Sequence, residues 1–168
     1  MAIMKAIVAV DKDWAIGKDG KLLYRIPEDM DFFRDMTIGN TVVMGRKTFT
    51  SIGSRILPKR RNIIITHNGS LYRNMCKRMF VSSEGFDMLF KKDESDSIYF
   101  IIGGESIYKK YYRQCDEIYV TMIDAESEDP DRYFPDLRYC KEFKMVDVIN
   151  SGVYKEIPYK ITRWVKVK

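Results

Sequence analysis

The chain lacks most of what would point to a metal centre, a membrane or an oxidised compartment. It has one histidine, His67, and three cysteines, Cys76, Cys115 and Cys140, with no Cys-x-x-Cys spacing. That is too thin a supply of imidazole and thiolate for a zinc site, so no metal is expected. An odd, scattered trio of cysteines fits structural thiols in a reduced, cytoplasmic protein better than a disulfide framework. No apolar run approaches the roughly 18 residues of a spanning helix, so no membrane partner is expected. The opening Met1–Val10 stretch has only a short apolar run and no small-residue cleavage site, and reads as a first buried strand. Repeats, low-complexity tracts, an arginine-rich tail, zinc-finger spacing and an aromatic RNA-binding signature are also missing. The net charge of +5 therefore does not by itself call for nucleic acid. A positive field serves equally well to steer a small polyanion inward.

What is present points to an α/β protein. A hydrophobic fraction of 45% with 32% charge in 168 residues excludes a disordered chain and suits a single domain over 1–168. Short apolar runs predict strands near 3–10, 41–45, 61–66, 79–82, 97–102, 116–124, 143–150 and 158–167. Amphipathic stretches predict four helices near 27–37, 46–52, 84–91 and 105–113. The result is an eight-stranded mixed sheet, mainly parallel. It closes with an antiparallel hairpin, because the connection around Asn150-Ser-Gly152 is too short for a helical crossover. Two long loops remain, Asp11–Arg25 and the acidic Ala125–Cys140. Loops of that length in a compact domain are often functional.

The first helix carries an acid on its apolar side. The stretch from Ile26 to Thr37 opens with Pro27 at a first helical position, where its missing N–H costs nothing. At about 100° per residue, Ile26, Met30, Phe32, Phe33 and Met36 share one arc, with Glu28, Asp31, Arg34 and Asp35 opposite, towards solvent. Asp29 falls inside the apolar arc. A carboxylate there must find a donor or take up a proton. An acid in a first turn also simply complements the helix dipole, and the helix alone does not decide between the two.

Two strand-to-helix junctions suit anions. In the first, strand residues up to Ile102 lead into Gly103 and Gly104 and then a helix start at Glu105, Ser106, Ile107 and Tyr108. Free N–H groups and glycine would let a phosphate approach closely, although a glycine pair is also an ordinary turn. There is no G-x-G-x-x-G fingerprint. In the second, Gly45 ends a strand, and Arg46, Lys47 and Thr48 enter a helix. Two cations oppose the dipole at a helix start, and an anion between them would repair the conflict; solvated surface cations are the alternative. Two such junctions suit a dinucleotide. Arg46 and Lys47 would favour the 2′-phosphate of NADPH over NADH. In Leu57-Pro-Lys-Arg-Arg-Asn62, Arg60 or Arg61 could grip a carboxylate or form a solvated basic turn. Thr121, on a buried strand, could donate to a buried acid, but threonine is common in strands anyway.

Taken in order, these segments resemble the dihydrofolate reductases of bacterial chromosomal type. The resemblance includes Ile16-Gly17, Pro27-x-Asp29 with Phe33, Gly45-Arg46-x-Thr48, Ser51-Ile-Gly53 and Leu57-Pro58 with Arg60. It continues through Ile102-Gly-Gly104 with Tyr108, Thr121 with Asp124, and Phe134-Pro135. Each motif is weak alone; the ordered set, running nearly end to end, is specific. A related pyrimidine reductase would not be expected to carry Asp29, Phe33, Arg60 and Thr121 together.

The resemblance implies NADPH-dependent reduction of 7,8-dihydrofolate to tetrahydrofolate, with hydride delivered to C6 and a proton to N5. It gives Asp29 the pterin amino group and ring nitrogen to hold, with Thr121 bonding both the carboxylate and the amino group. Backbone of Ile7, Val8 and Ile102 would line the pterin end. Met30, Phe33, Ile52 and Leu57 would wall the folate site, and Arg60 would take the α-carboxylate of the glutamate tail. Ala9, Ile16 and Gly17 would lie at the nicotinamide. Gly103, Gly104 and the helix start from Glu105 to Tyr108 would hold the pyrophosphate. Gly45, Arg46, Lys47, Thr48, Thr66 and His67 would surround the adenosine phosphate, making 40–110 the cofactor-binding part. The resemblance also implies binding of 2,4-diaminopyrimidine antifolates and, with no extended apolar stripe in view, a monomer.

The resemblance also makes Asp11–Tyr24 a lid that closes over the nicotinamide, and the chain departs from the family pattern there. Leu22 is an ordinary lid residue, but Leu23-Tyr24 stands where Pro-Trp is usual. The Trp indole is expected to hold a water beside the catalytic acid, so Tyr24 must place its hydroxyl differently. Ser106 stands where some members use an arginine near the cofactor phosphate. Two other readings compete with this one: a folate- and NADPH-binding homologue with impaired turnover, and a basic nucleic-acid-binding domain.

Overall fold

Strands with apolar residues on both faces can be buried only between two layers, and this determines the architecture. The protein is described here by a computed structural model, which covers residues 1–68 and 79–168. Cys76 lies outside the described residues. The elements run β1 (Ile3–Val10), β2 (Ala15–Lys18), β3 (Lys21–Leu22), α1 (Pro27–Thr37), β4 (Thr41–Gly45), α2 (Arg46–Ser51), β5 (Arg61–Ile65), β6 (Phe80–Val81) and α3 (Ser83–Lys92). They continue through β7 (Ile98–Gly103), α4 (Glu105–Tyr111), β8 (Glu117–Ile123), β9 (Arg132–Tyr133), β10 (Phe143–Tyr154) and β11 (Ile157–Lys166).

Eight strands form one sheet in the order β10-β11-β8-β1-β7-β4-β5-β6. Pairing is parallel from β8 to β6 and antiparallel on the β10-β11-β8 side. This is the mixed, mainly parallel sheet that the sequence predicts, with its closing hairpin and four helices. Successive residues serve opposite layers, as the strand period of two requires. Val43, Ile63, Ile65, Tyr99 and Ile101 pack with Phe86 of α3 and Ile107 and Tyr111 of α4. Val42, Met44, Ile64 and Phe100 pack with Phe32 and Phe33 of α1 and Phe49 of α2. In open sheets of this kind, ligands bind at the carboxyl ends of the strands, where neighbouring connections diverge. Here those ends are Ala9–Val10, Gly45 and Gly103.

Three sequence expectations need correction. The hairpin turn is not at Asn150-Ser-Gly152. Strand β10 runs on to Tyr154, and the turn is Lys155-Glu156, both at positive φ, as a tight two-residue hairpin turn requires. Gly152 instead faces Tyr159 in register, where a Cβ would lie 2.6 Å from the phenol oxygen. It is an in-strand glycine, kept for close approach. Second, Glu28 does not face solvent. It is half-buried and accepts hydrogen bonds from Tyr159 and Asn150. Third, the two long loops contain strands too short to show periodicity, and β3, β2 and β9 form a second sheet that joins them.

The long loop that opens at Asp11 begins from a fixed base. Asp11 is 3% exposed, and its Oδ1 accepts from the backbone of Asp13 and Ala15, while its Oδ2 accepts from Ser127. Trp14 is 1% exposed and packs against Phe134 at 6.2 Å and Trp164 at 5.9 Å. Truncating a buried aromatic typically costs about 3–5 kcal/mol. Urea denaturation of Trp14→Ala is expected to show a loss of that size; a loss below about 1 kcal/mol would show that the lid base bears little on the fold.

Candidate active site

The catalytic candidate and its partner meet across two elements. Pro27 starts α1, placing Glu28 and Asp29 in its first turn. Thr121 lies in β8 between Ala9 of β1 and Ile161 of β11, and is 2% exposed. Its hydroxyl donates to Asp29 Oδ1 at 2.5 Å. Burial pushes the Asp29 carboxyl above the ordinary carboxylate range, and the hydrogen bond from Thr121 pulls it part of the way back. Beside them, the buried Tyr108 hydroxyl donates to the carbonyl of Ile7 at 2.8 Å. Burial, with the Asp29 charge adding to it, drives that phenol far above its usual range.

Removing the Thr121 donor should raise the Asp29 pKa further, because the bond is what lowers it. Thr121→Val is therefore expected to shift the pH–rate profile upward. It should also reduce catalytic efficiency by about tenfold, the worth of one charge-assisted hydrogen bond. A profile that stays in place or moves down would contradict the assignment.

Tyr24 is engaged elsewhere. Its hydroxyl donates to the carbonyl of Glu126 and accepts from Ser127 Oγ, both at 3.4 Å. It thus connects the end of the lid to the acidic loop. Leu22, on β3, is 61% exposed and lines the cleft.

Of the residues expected at the substrate, Phe33, Leu57 and Ile102 pack in one apolar cluster with Ile7, while Val8 is buried on the opposite layer. Met30 and Ile52 remain 49% and 39% exposed. Arg60 is fixed in place: its Nε donates to Pro58 O at 2.9 Å and its Nη1 to Thr37 Oγ1 at 3.0 Å. Burial and the charge of Arg34 both disfavour its cation. Among the described residues no carboxylate pairs with it, so an incoming one would relieve that penalty.

A cleft of about 790 Å³ opens at the carboxyl ends of the central strands. It brings together all fifteen residues expected at the cofactor: Ala9, Ile16, Gly17, Gly45, Arg46, Lys47, Thr48, Thr66, His67, Gly103, Gly104, Glu105, Ser106, Ile107 and Tyr108. Gly103 has φ +129, a region closed to other residues. A Cβ on Gly104 would meet Thr48 Oγ1 at 3.2 Å, and one on Gly45 would meet Ile107 at 3.1 Å. The first turn of α2 holds no acid. Sequence reasoning missed Lys21, Ser83, Lys110 and Arg132, which also line the cleft. Lys110 was accessible in principle, lying one helical turn beyond Ser106. Arg132 was not, because only the β9–β2 pairing brings it here.

Comparison with known proteins agrees with this geometry. The dihydrofolate reductase family profile matches residues 3–166. A dihydrofolate reductase of Staphylococcus haemolyticus is 35% identical over 91% of this chain and 88% of its own length. One from Haemophilus influenzae is 36% identical over 79% of each. A solved structure, dihydrofolate reductase from Enterococcus faecalis complexed with NADP(H) and RAB-propyl, superposes with a TM-score of 0.82 at 31% identity, covering 99% of this chain and 97% of that one. The acid, the guanidinium and the glycine-lined cleft thus sit in a sequence and a fold that agree from end to end, and the chain belongs to the dihydrofolate reductase family.

Proposed function

We propose that this protein is an NADPH-dependent dihydrofolate reductase, converting 7,8-dihydrofolate to tetrahydrofolate. The carrying observation is the Asp29–Thr121 pair, a half-buried acid held by one buried donor beside a cation-lined cleft. The residues present fit the cofactor: two glycines admit a phosphate, and Lys21, Arg46, Lys47, Lys110 and Arg132 face one lining acid, Glu105. When bound, NADPH supplies the hydride. The chain's own residues do the rest. Asp29 and Thr121 orient the pterin through its amino group, and the raised pKa of Asp29 suits it to assist a proton to N5 as C6 is reduced. Met30, Ile52 and Leu22 offer exposed apolar surface for the ligand to cover. Arg60 takes the glutamate α-carboxylate, and Arg46, Lys47, Thr66 and His67 the adenosine phosphate. The lid of β2 and β3 excludes water from the reacting atoms.

A 2,4-diaminopyrimidine should bind the same acid, its protonated ring pairing with the carboxylate. On this reading the protein works as a monomer and as one unit over 1–168, with 40–110 as the cofactor part. No helix among the described residues is long and apolar enough to cross a membrane. The free thiols of Cys115 and Cys140 support a cytoplasmic setting. The test is to mix purified protein with dihydrofolate and NADPH. Loss of reduced-nicotinamide absorbance with equimolar tetrahydrofolate is expected. Tight binding of both ligands without turnover would favour a non-catalytic homologue. Salt-sensitive retention on DNA or RNA, indifferent to NADPH, would favour a nucleic-acid-binding protein.

A further inference from the structure

We propose that Arg132 binds the diphosphate of the cofactor, supplying the charge that Ser106 does not. This rests on the NADPH-dependent reading above. The start of α4 is where the diphosphate belongs, yet its first turn carries an acid, Glu105, and no cation. Its basic residues, Lys109 and Lys110, sit in the last turn, where they complement the helix dipole. Lys110 lines the cleft from that last turn, so a doubly charged group at the glycine pair has no cation at the helix start itself and would gain from one on another element.

Strand β9 brings one. The backbone N–H of Tyr133 donates to Glu105 Oε2 at 2.5 Å, fastening β9 to the mouth of α4. Arg132, the preceding residue, lines the same cleft as Gly103, Gly104 and Ser106. Its guanidinium is close enough for its charge to act on the Glu105 carboxyl. Burial pushes that carboxyl up, but the bonds from Tyr133 and Lys109 and the charges of Lys109 and Arg132 hold it below the usual range. Glu105 is thus already occupied, by Tyr133 and by Lys109 at 3.1 Å. Gly17 stands opposite Arg132 in the β2–β9 pairing, which fixes where the arginine stem leaves the strand. A Cβ at Gly17 would make only an ordinary contact with Arg132 Cβ at 3.7 Å; the tight approach is to the Lys21 carbonyl at 3.1 Å.

The existing partner of Arg132 is easily exchanged. Its Nη1 donates to the Asp131 carbonyl at 2.9 Å, and the Asp131 carboxylate is 3.8 Å away in a half-exposed pair. Exposed pairs of this kind contribute little. A diphosphate offers shorter, charge-assisted bonds and a planar match to the guanidinium.

Equilibrium binding, read by quenching of intrinsic fluorescence, tests the assignment without turnover. Arg132→Gln is expected to weaken NADPH and NADH by the same factor, about tenfold. Arg132→Lys should fall between parent and Arg132→Gln. Binding of a 2,4-diaminopyrimidine without cofactor should not change. Unchanged NADPH affinity in Arg132→Gln would overturn the proposal. So would weakening of NADPH but not NADH, which would place the contact at the 2′-phosphate. Equal weakening of the diaminopyrimidine, or no recovery with Arg132→Lys, would also overturn it, by showing general damage to the cleft. A parent protein that fails to bind NADPH would instead reject the cofactor reading itself.

Discussion

Asp29→Asn is expected to reduce dihydrofolate turnover near neutral pH by about a hundredfold or more, the usual worth of a positioned acid–base group. The amide keeps the shape and can still accept from Thr121, so NADPH affinity should not change. Folding stability should move the other way. The pKa of Asp29 is raised in the folded state, by burial above all. Such a group favours folding fully below its unfolded pKa, and that contribution is lost as pH rises through the folded value. Once ionised, the side chain is a burden the amide does not carry. Parent and variant should therefore be equally stable in acid, and Asp29→Asn the more stable near neutrality, as measured by urea denaturation at the two pH values. An active site that costs stability is an ordinary trade-off. A variant with full activity, or one destabilised at neutral pH, would remove Asp29 from its assigned role.

Arg60→Ala is expected to raise the KM for dihydrofolate by about ten- to a hundredfold while kcat stays within a few-fold. The range follows from losing charge-assisted hydrogen bonds to one carboxylate. The α-carboxylate lies far from the reacting atoms, so its contact is the same in ground and transition states, and its loss appears in KM. A dihydropterin lacking the glutamate tail separates this from damage to the fold. Parent and Arg60→Ala should reduce it equally well. The hydrogen bonds to Pro58 and Thr37 make that control necessary, because Arg60 also ties the end of α1 to the following loop. Equal losses on both substrates would assign Arg60 a structural role only.

The sheet was legible because buried parallel strands leave continuous apolar runs between helical periods, and all eight were found. Asp29 was visible as a polarity error on an apolar arc. What could not be read is what depends on pairing. Strands β2, β3 and β9 are too short for any period to register. The placements of Arg132 and Tyr24 follow from how the two loops meet. Asn150-Ser-Gly152 has turn composition but serves a close ring contact, while Lys155-Glu156 turns without glycine. Composition reports what a segment can do, and register decides which of those things it does.

The most direct test of the central claim is the rate of hydride transfer in a single turnover, measured across pH for the parent and Asp29→Asn with both ligands saturating. The parent rate should fall as pH rises through a group titrating above the ordinary carboxylate range, and Asp29→Asn should lack that inflection. The same inflection in both proteins would contradict the claim that Asp29 manages the proton.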